Sequence, residues 1–336
     1  MQLRTYSCLL ASVGLLNLAC AGSADEPGSD STADAGSSAA ESAPPASGTG
    51  SADSTEQTST PTPTPTPEPE PTPTLPNGAE SIFPEHRLVG FSGGRAPSFG
   101  RLEATDLEGA AAELDDLVAD YEDDGRTVLP VFELITVVAH GSATDSGLYR
   151  TFEPDEVIEQ YLDAAREHGA LLLLNVQPGR ADFLDDVQRL EPWLLEPDVG
   201  LALDPEWAVG EGEVPGRTYG STTGAELDSV VEYVSGLVTE NDLPEKAVVF
   251  HQVHESVVQQ ESDLGEHPGV AVVKSVDGIG SRESKEETWG RLMPPDAEHV
   301  HAGFKLFFDE DTRHGPLMTP EQVLALEPLP EYVLYE

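Results

Sequence analysis

Eight short apolar runs constrain this chain more than any other feature. They are Leu88–Phe91, Val128–Val138, Leu171–Gln177, Val199–Leu203, Ala247–His251, Val270–Val276, His301–Phe308 and Tyr332–Tyr335. Runs this short and this apolar read as strands buried on both faces, which is the habit of parallel sheet. Segments of helical period separate them. Leu107 to Tyr121 carries a stripe of Leu107, Ala110, Ala111, Leu114, Leu117, Val118 and Tyr121. Pro154 to His168 does the same and stops at Gly169. Further helices are predicted over Ala181–Leu195, Ala225–Glu240, Val257–Leu264 (short and polar), Ser284–Leu292 and Gln322–Leu326, the last behind Thr319-Pro320-Glu321. Strand and helix alternating over Ser81–Glu336, about 256 residues, predict a (β/α)8 TIM-like barrel. An open doubly wound sheet is the alternative.

The chain ahead of the barrel is of a different kind. Residues 1–20 read as an export signal: Arg4 is a weak basic start, and Leu9 to Leu16 is too short to span a bilayer. Leu18-Ala19-Cys20 resembles the end of a bacterial lipobox, with Asn17 where that box usually has Leu. The resemblance implies lipidation of Cys20 and a membrane anchor through it; ordinary cleavage near Ala19 or Ala21 is the alternative. Cys8 and Cys20 are the only cysteines, so Ser81–Glu336 can form neither a disulfide nor a zinc–thiolate site. Residues 21–80 are predicted to be a disordered tether. Its first part is rich in Ala, Ser and acids, and Thr60 to Pro73 alternates Pro with Thr or Glu as a polyproline II rod.

Charge narrows the partners. The chain holds 17 Lys and Arg against 62 Asp and Glu, a net charge of −45. Such a surface repels nucleic acid and anionic headgroups. No Walker loop, Gly-x-Gly-x-x-Gly after a strand, His-Glu-x-x-His or Gly-x-Ser-x-Gly occurs, and no cofactor is expected.

The candidate chemistry lies where the strands end. On a barrel these ends share one rim, and nearly every run breaks there into polar residues. Reading round it gives Ser92; Glu133; Asn175, Gln177 and Arg180; Asp204 and Glu206; His251, Gln252 and His254; Lys274 and Asp277; Lys305 and Asp309. Asp204-Pro205-Glu206-Trp207 stands out. Residues two apart on a strand share a face, so two carboxyl groups can converge on one bond. A close pair of acids also raises one of the two pKa values, which suits a proton donor beside an anion. Glu206 is the predicted acid and Asp204 its partner. In a protein so acidic, two loop acids at this spacing are the plain alternative.

Gly200-Leu201-Ala202-Leu203-Asp204-Pro205-Glu206 resembles the strand-four signature of the family 18 chitinase-like glycoside hydrolases, Asp-Gly-x-Asp-x-Asp-x-Glu on a (β/α)8 barrel. The resemblance implies that Glu206 donates a proton and that Asp204 orients the substrate. Ala202 and Val199 replace the two earlier acids. The domain also resembles secreted bacterial barrel lipoproteins, a likeness that implies no activity.

Around this pair, Asn175 and Gln177 offer amides to sugar hydroxyls, and Trp207 offers a stacking face. Arg180 is expected to pair with Asp204, Glu206 or an anionic substrate group. Lys305, alone in an apolar strand, should find a carboxylate among Asp204, Glu206 and Asp309. Glu133, His254, Asp277 and Asp309 complete the predicted substrate-binding set. His251-Gln252-Val253-His254 and His299-Val300-His301 invite a metal reading, but the strand-one end, Phe91-Ser92-Gly93, lacks the His-x-His of metal-dependent barrels, and no metal is expected. The expectation is therefore a glycoside hydrolase acting on a carbohydrate. A non-catalytic surface lipoprotein that binds a carbohydrate or a partner protein fits the same residues.

Overall fold

The computed structural model of the chain describes residues 72–122, 125–294 and 300–336. The expected signal, Cys20, most of the expected tether and His299 lie outside the described residues.

The eight apolar runs are eight strands: β1 (His86–Gly94), β2 (Thr127–Ala139), β3 (Leu171–Val176), β4 (Val199–Leu203), β5 (Lys246–Gln252), β6 (Val270–Val276), β7 (His301–Leu306) and β8 (Tyr332–Tyr335). Each pairs in parallel with the next, and β8 pairs with β1. That last pairing closes the sheet and excludes the open doubly wound alternative. The fold is a TIM-like barrel.

Helices lie between the strands: α1 (Leu107–Val118), α2 (Asp155–Glu167), α3 (Phe183–Arg189), α4 (Gly224–Glu240), α5 (Arg282–Leu292) and α6 (Pro320–Val323). Thr223 with Glu226, and Thr319 with Gln322, form capping boxes that start α4 and α6. Two predicted helices differ from the expectation. Ala181–Leu195 is not one helix: α3 ends, and a separate turn, Glu191–Leu194, begins with Pro192 in its first turn. A proline belongs at a helix start and disrupts an interior, so it divides the segment. Val257–Leu264 is not a helix. Val258–Gln259 pairs with Thr222–Thr223, and a 3-10 turn, Glu261–Asp263, follows. Val257, Val258 and Leu264 are buried and anchor this loop, a pattern that mimics a short apolar stripe.

Strand alternation assigns the interior. Leu88, Leu129, Val131, Leu171, Leu173, Ala202, Val249 and Val273 point inward and form one apolar cluster. The intervening residues face the helices. Leu75, Ile82 and Phe83 join the inner cluster at the N-terminal end and floor the barrel. Ile82 N–H donates to Glu245 Oε2 at 2.6 Å, and Phe83 stacks on His301 with ring centroids 4.0 Å apart. Leu75 therefore belongs to the packed domain, although it lies within the range predicted as tether. A single leucine amid Pro and Thr was too little signal to mark where packing begins.

Candidate active site

Above the apolar floor the interior changes character on every strand. Two residues after an inward apolar or glycine position comes a polar one: Gly90 then Ser92, Val131 then Glu133, Leu173 then Asn175, Ala202 then Asp204. The same step gives Val249 then His251, Val273 then Ser275, Gly303 then Lys305, and Leu334 then Glu336. The period of two keeps these side chains on the inner face, at the C-terminal mouth where barrel enzymes act.

His251 is the centre of this layer and is fully buried, as is Glu133. His251 Nδ1 lies 3.1 Å from Asp277 Oδ2, and its Nε2 lies 3.2 Å from Glu133 Oε1. The second contact is a charge pair without hydrogen-bond alignment, so Nε2 keeps a free donor. Asp204 Oδ1 is 4.0 Å from the same nitrogen. Glu133 is held from two further sides: Asn175 Nδ2 donates to its Oε1 at 3.0 Å, and the Tyr332 hydroxyl to its Oε2 at 2.6 Å. Ser275 donates to Asp277 Oδ1 at 3.0 Å.

Lys305 has the carboxylate partners its burial demands, though not the ones expected. They are Glu336 at 2.7 Å and Asp277 at 3.7 Å. Ser92 also donates to Glu336 Oε2, at 3.3 Å. Asp309 is exposed, on the turn Phe308–Asp311.

These contacts set the charges. Burial alone would raise the Glu133 and Asp277 carboxyl groups, but His251 and Lys305 outweigh it and hold both below the usual range. Burial opposes charge on His251 and Lys305, yet the surrounding carboxylates keep both well above their ordinary values. His251 is accordingly an imidazolium locked between two anions.

Asp204 and Glu206 sit at the open side of this network. Asp204 is the last residue before a 3-10 turn, Pro205–Trp207, so Glu206 is on that turn and not on extended strand. They still belong to one electrostatic unit. Burial raises the Asp204 carboxyl, with Glu133 adding to it and His251 and Lys305 countering. Glu206 is pushed well above the usual range by burial and then by the charges of Asp204 and Asp277. Its side chain is partly open to solvent, but Oε2 is wholly shielded and has no hydrogen-bond partner. Gln177 fixes Asp204: its Nε2 donates to Asp204 Oδ2 at 3.1 Å, while its Oε1 accepts from Ala139 N–H at 3.2 Å. Of the two, Glu206 is the one pushed furthest toward keeping its proton, beside Asp204 held by Gln177, an arrangement able to protonate a leaving oxygen and support positive charge.

The loop after Trp207 returns to this exit. Gly220 N–H donates to the Glu206 carbonyl at 2.7 Å. A Cβ at Gly220 would collide with the Ala208 carbonyl, so only glycine permits the approach. Beyond lies a groove of about 950 Å3 lined by Arg180, Asp182, Glu213 and Tyr219. Asp204 and Glu206 do not line it, so it is a neighbour of the carboxylate cluster and not its mouth. Arg180 does not pair with Asp204 or Glu206. It donates to the Glu213 carbonyl at 3.0 Å and lies over the Tyr149 ring at 4.1 Å. Its planar cation found an aromatic face and a carbonyl in the loops, partners that sequence distance conceals.

The remaining predicted residues divide. Trp207 is partly buried on the turn that carries Glu206. His254 is exposed and bonded to Ser256, away from the cluster. Lys274 has the wrong parity and pairs outside the barrel with Glu261 at 2.7 Å. His301 is bound to Glu331 at 2.7 Å, at the floor. Among the described residues no three His, Cys, Asp or Glu side chains are placed to hold a metal ion.

The sequence reading missed Glu336, Ser275 and Tyr332. Counting by twos along β8 from Tyr332 puts Leu334 and then Glu336 inward, and the same count on β6 selects Ser275 over Lys274. That signal was present in the sequence. No protein-family model matches the chain, and no curated protein matches it either.

Proposed function

We propose that the chain is a glycoside hydrolase acting on a polysaccharide outside the cytoplasm, tethered through a lipid on Cys20. The observation that carries this reading is the pairing at the mouth: a Glu206 carboxyl with one shielded, unpartnered oxygen and a pKa well above the usual range, next to Asp204 fixed by Gln177. In this reading Glu206 gives its proton to the glycosidic oxygen, and Asp204 supports the positive charge that develops on the sugar. The His251–Glu133–Asp277 lock below them holds the anionic floor of the site in one geometry.

The test is hydrolysis of peptidoglycan, chitin oligomers and plant or algal glycans by the purified protein. Glu206→Gln is near-isosteric and removes only the proton donor. It should lower kcat by about 10²- to 10⁴-fold, the usual contribution of general acid catalysis. Retained activity would remove Glu206 from the role. The tether is tested separately, by loss of membrane association in Cys20→Ala.

One observation favours a second reading, a surface lipoprotein that binds a carbohydrate without turning it over. The loop after Trp207 is bonded back to the Glu206 carbonyl through Gly220 N–H, which fixes the segment that carries the acid. Saturable binding on a glycan array, with no cleavage and no change in Glu206→Gln, would select it.

A further inference from the structure

The charges and the unpartnered atoms of the mouth restrict what it can take up. Four carboxylates, Glu133, Asp204, Asp277 and Glu336, face two cations, His251 and Lys305. Both cations already lie against carboxylates, so carboxyl groups outnumber cations in this layer. The basic side chains nearby do not correct it. Arg180 is turned to Tyr149 and the Glu213 carbonyl, Arg95 lies 2.6 Å from Glu153, and Lys285 lies 3.0 Å from Asp311. Buried charge left uncompensated is costly.

Of the unpartnered atoms in this layer, His251 Nε2 is a donor and Asn175 Oδ1 an acceptor. Asn175 is almost fully buried, and its Oδ1 has no partner. Its orientation is fixed, because Nδ2 donates to Glu133 Oε1 and a carboxylate oxygen only accepts. Oδ1 is therefore a true acceptor waiting for a donor. Asp204 lies one strand over, with Oδ1 4.0 Å from His251 Nε2. Glu133 Oε1 takes both the Asn175 amide and the His251 contact, so these three side chains meet at one oxygen. A sugar hydroxyl would satisfy the acceptors and leave the charge unanswered. An ammonium supplies three donors and a positive charge together.

We infer that the group bound at this mouth is a protonated amine, and that the substrate class is glycans bearing free 2-amino sugars, in preference to N-acetylated, neutral or acidic glycans. Acetylation removes the charge and two of the donors. A carboxylate or sulfate on the sugar would meet the excess negative charge directly. The inference rests on the glycosidase reading for cleavage, but not for binding.

The test is calorimetric titration of the full chain with glucosamine oligomers and N-acetylglucosamine oligomers of equal length, near pH 6, at low and at high salt. The glucosamine oligomer should bind with a Kd at least about tenfold lower, the scale of one close charge pair. The advantage should shrink with salt and disappear in Asp204→Asn, which keeps the shape and removes one charge. Equal or tighter binding of the N-acetylated or a uronic acid oligomer overturns the inference, as does no binding of the amino oligomer. The two readings fail separately. Glu206-dependent cleavage of N-acetylated or neutral glycans alone overturns the amine inference and leaves the hydrolase. Selective binding of amino oligomers with no cleavage does the reverse.

Discussion

The two ends of the barrel interior are built from the same eight strands and differ by one step of two residues. At the N-terminal end Leu173, Val131, Val249 and their neighbours close over Leu75, Ile82 and Phe83 in one apolar cluster. At the C-terminal end Asn175, Glu133 and His251 occupy the next inward positions and bury charge. The lower half removes apolar surface from water at about 25 cal/mol per Å2 and stabilises the fold. Replacing the upper half by apolar residues of similar volume would often be neutral or stabilising. A chain that keeps seven ionisable side chains there, counting Glu206, holds them for chemistry or recognition. The difference teaches that stability and function share strands but not layers.

That comparison breaks if the upper layer proves indifferent to its charges. Lys305→Met strands Glu336 without its cation and leaves Asp277 to His251 alone. It should destabilise the protein by about 3–5 kcal/mol, read as a lower denaturant midpoint. An unchanged midpoint would mean that the mouth is wet enough to screen the pair.

A smaller effect is expected at the floor. Leu75→Ala should cost about 2–3 kcal/mol, at the low end for a buried leucine because the site is peripheral. A loss within a few tenths of a kcal/mol would return Leu75 to the tether.

The smallest effect, and the one that separates the layers most cleanly, is with pH. Glu206 has a raised value in the folded chain, so its contribution is full below the usual carboxylate value, near 4.3, and fades as pH rises through the raised value. His251, also raised, contributes in the same sense, with full effect below about 6.5. Glu133 and Asp277 are lowered, so their contribution is present above the usual values and is lost only as pH falls through the lowered ones. Tm should therefore decline on the alkaline side by a few degrees, and Glu206→Gln should decline less. Leu75→Ala should shift the whole curve without changing its shape. Activity should show the same alkaline limb as Glu206 loses its proton.

Much of this was readable beforehand, for identifiable reasons. The apolar strands carry a period and a length that local chemistry writes directly, so all eight were found. Asp204 and Glu206 were singled out because two acids end such a strand. The misses are of another kind. Arg180 and Lys305 were assigned partners by proximity in the rim, whereas Arg180 found Tyr149 and Glu213, and Lys305 found Glu336 and Asp277. Val257–Leu264 offered buried apolar residues at a spacing that fits either a helix or a pinned loop.

The sequence by itself determined the alternation of strand and helix, the inward and outward faces, and the acidity of the mouth, because periodicity and composition are local properties of the chain. Only the tertiary structure decided that β8 meets β1, that His251 lies between Asp277 and Glu133, and that Glu336 answers Lys305. Closure brings residues as distant as 92 and 336 into contact. Which carboxyl keeps its proton then depends on distances and burial that exist only once the barrel is closed.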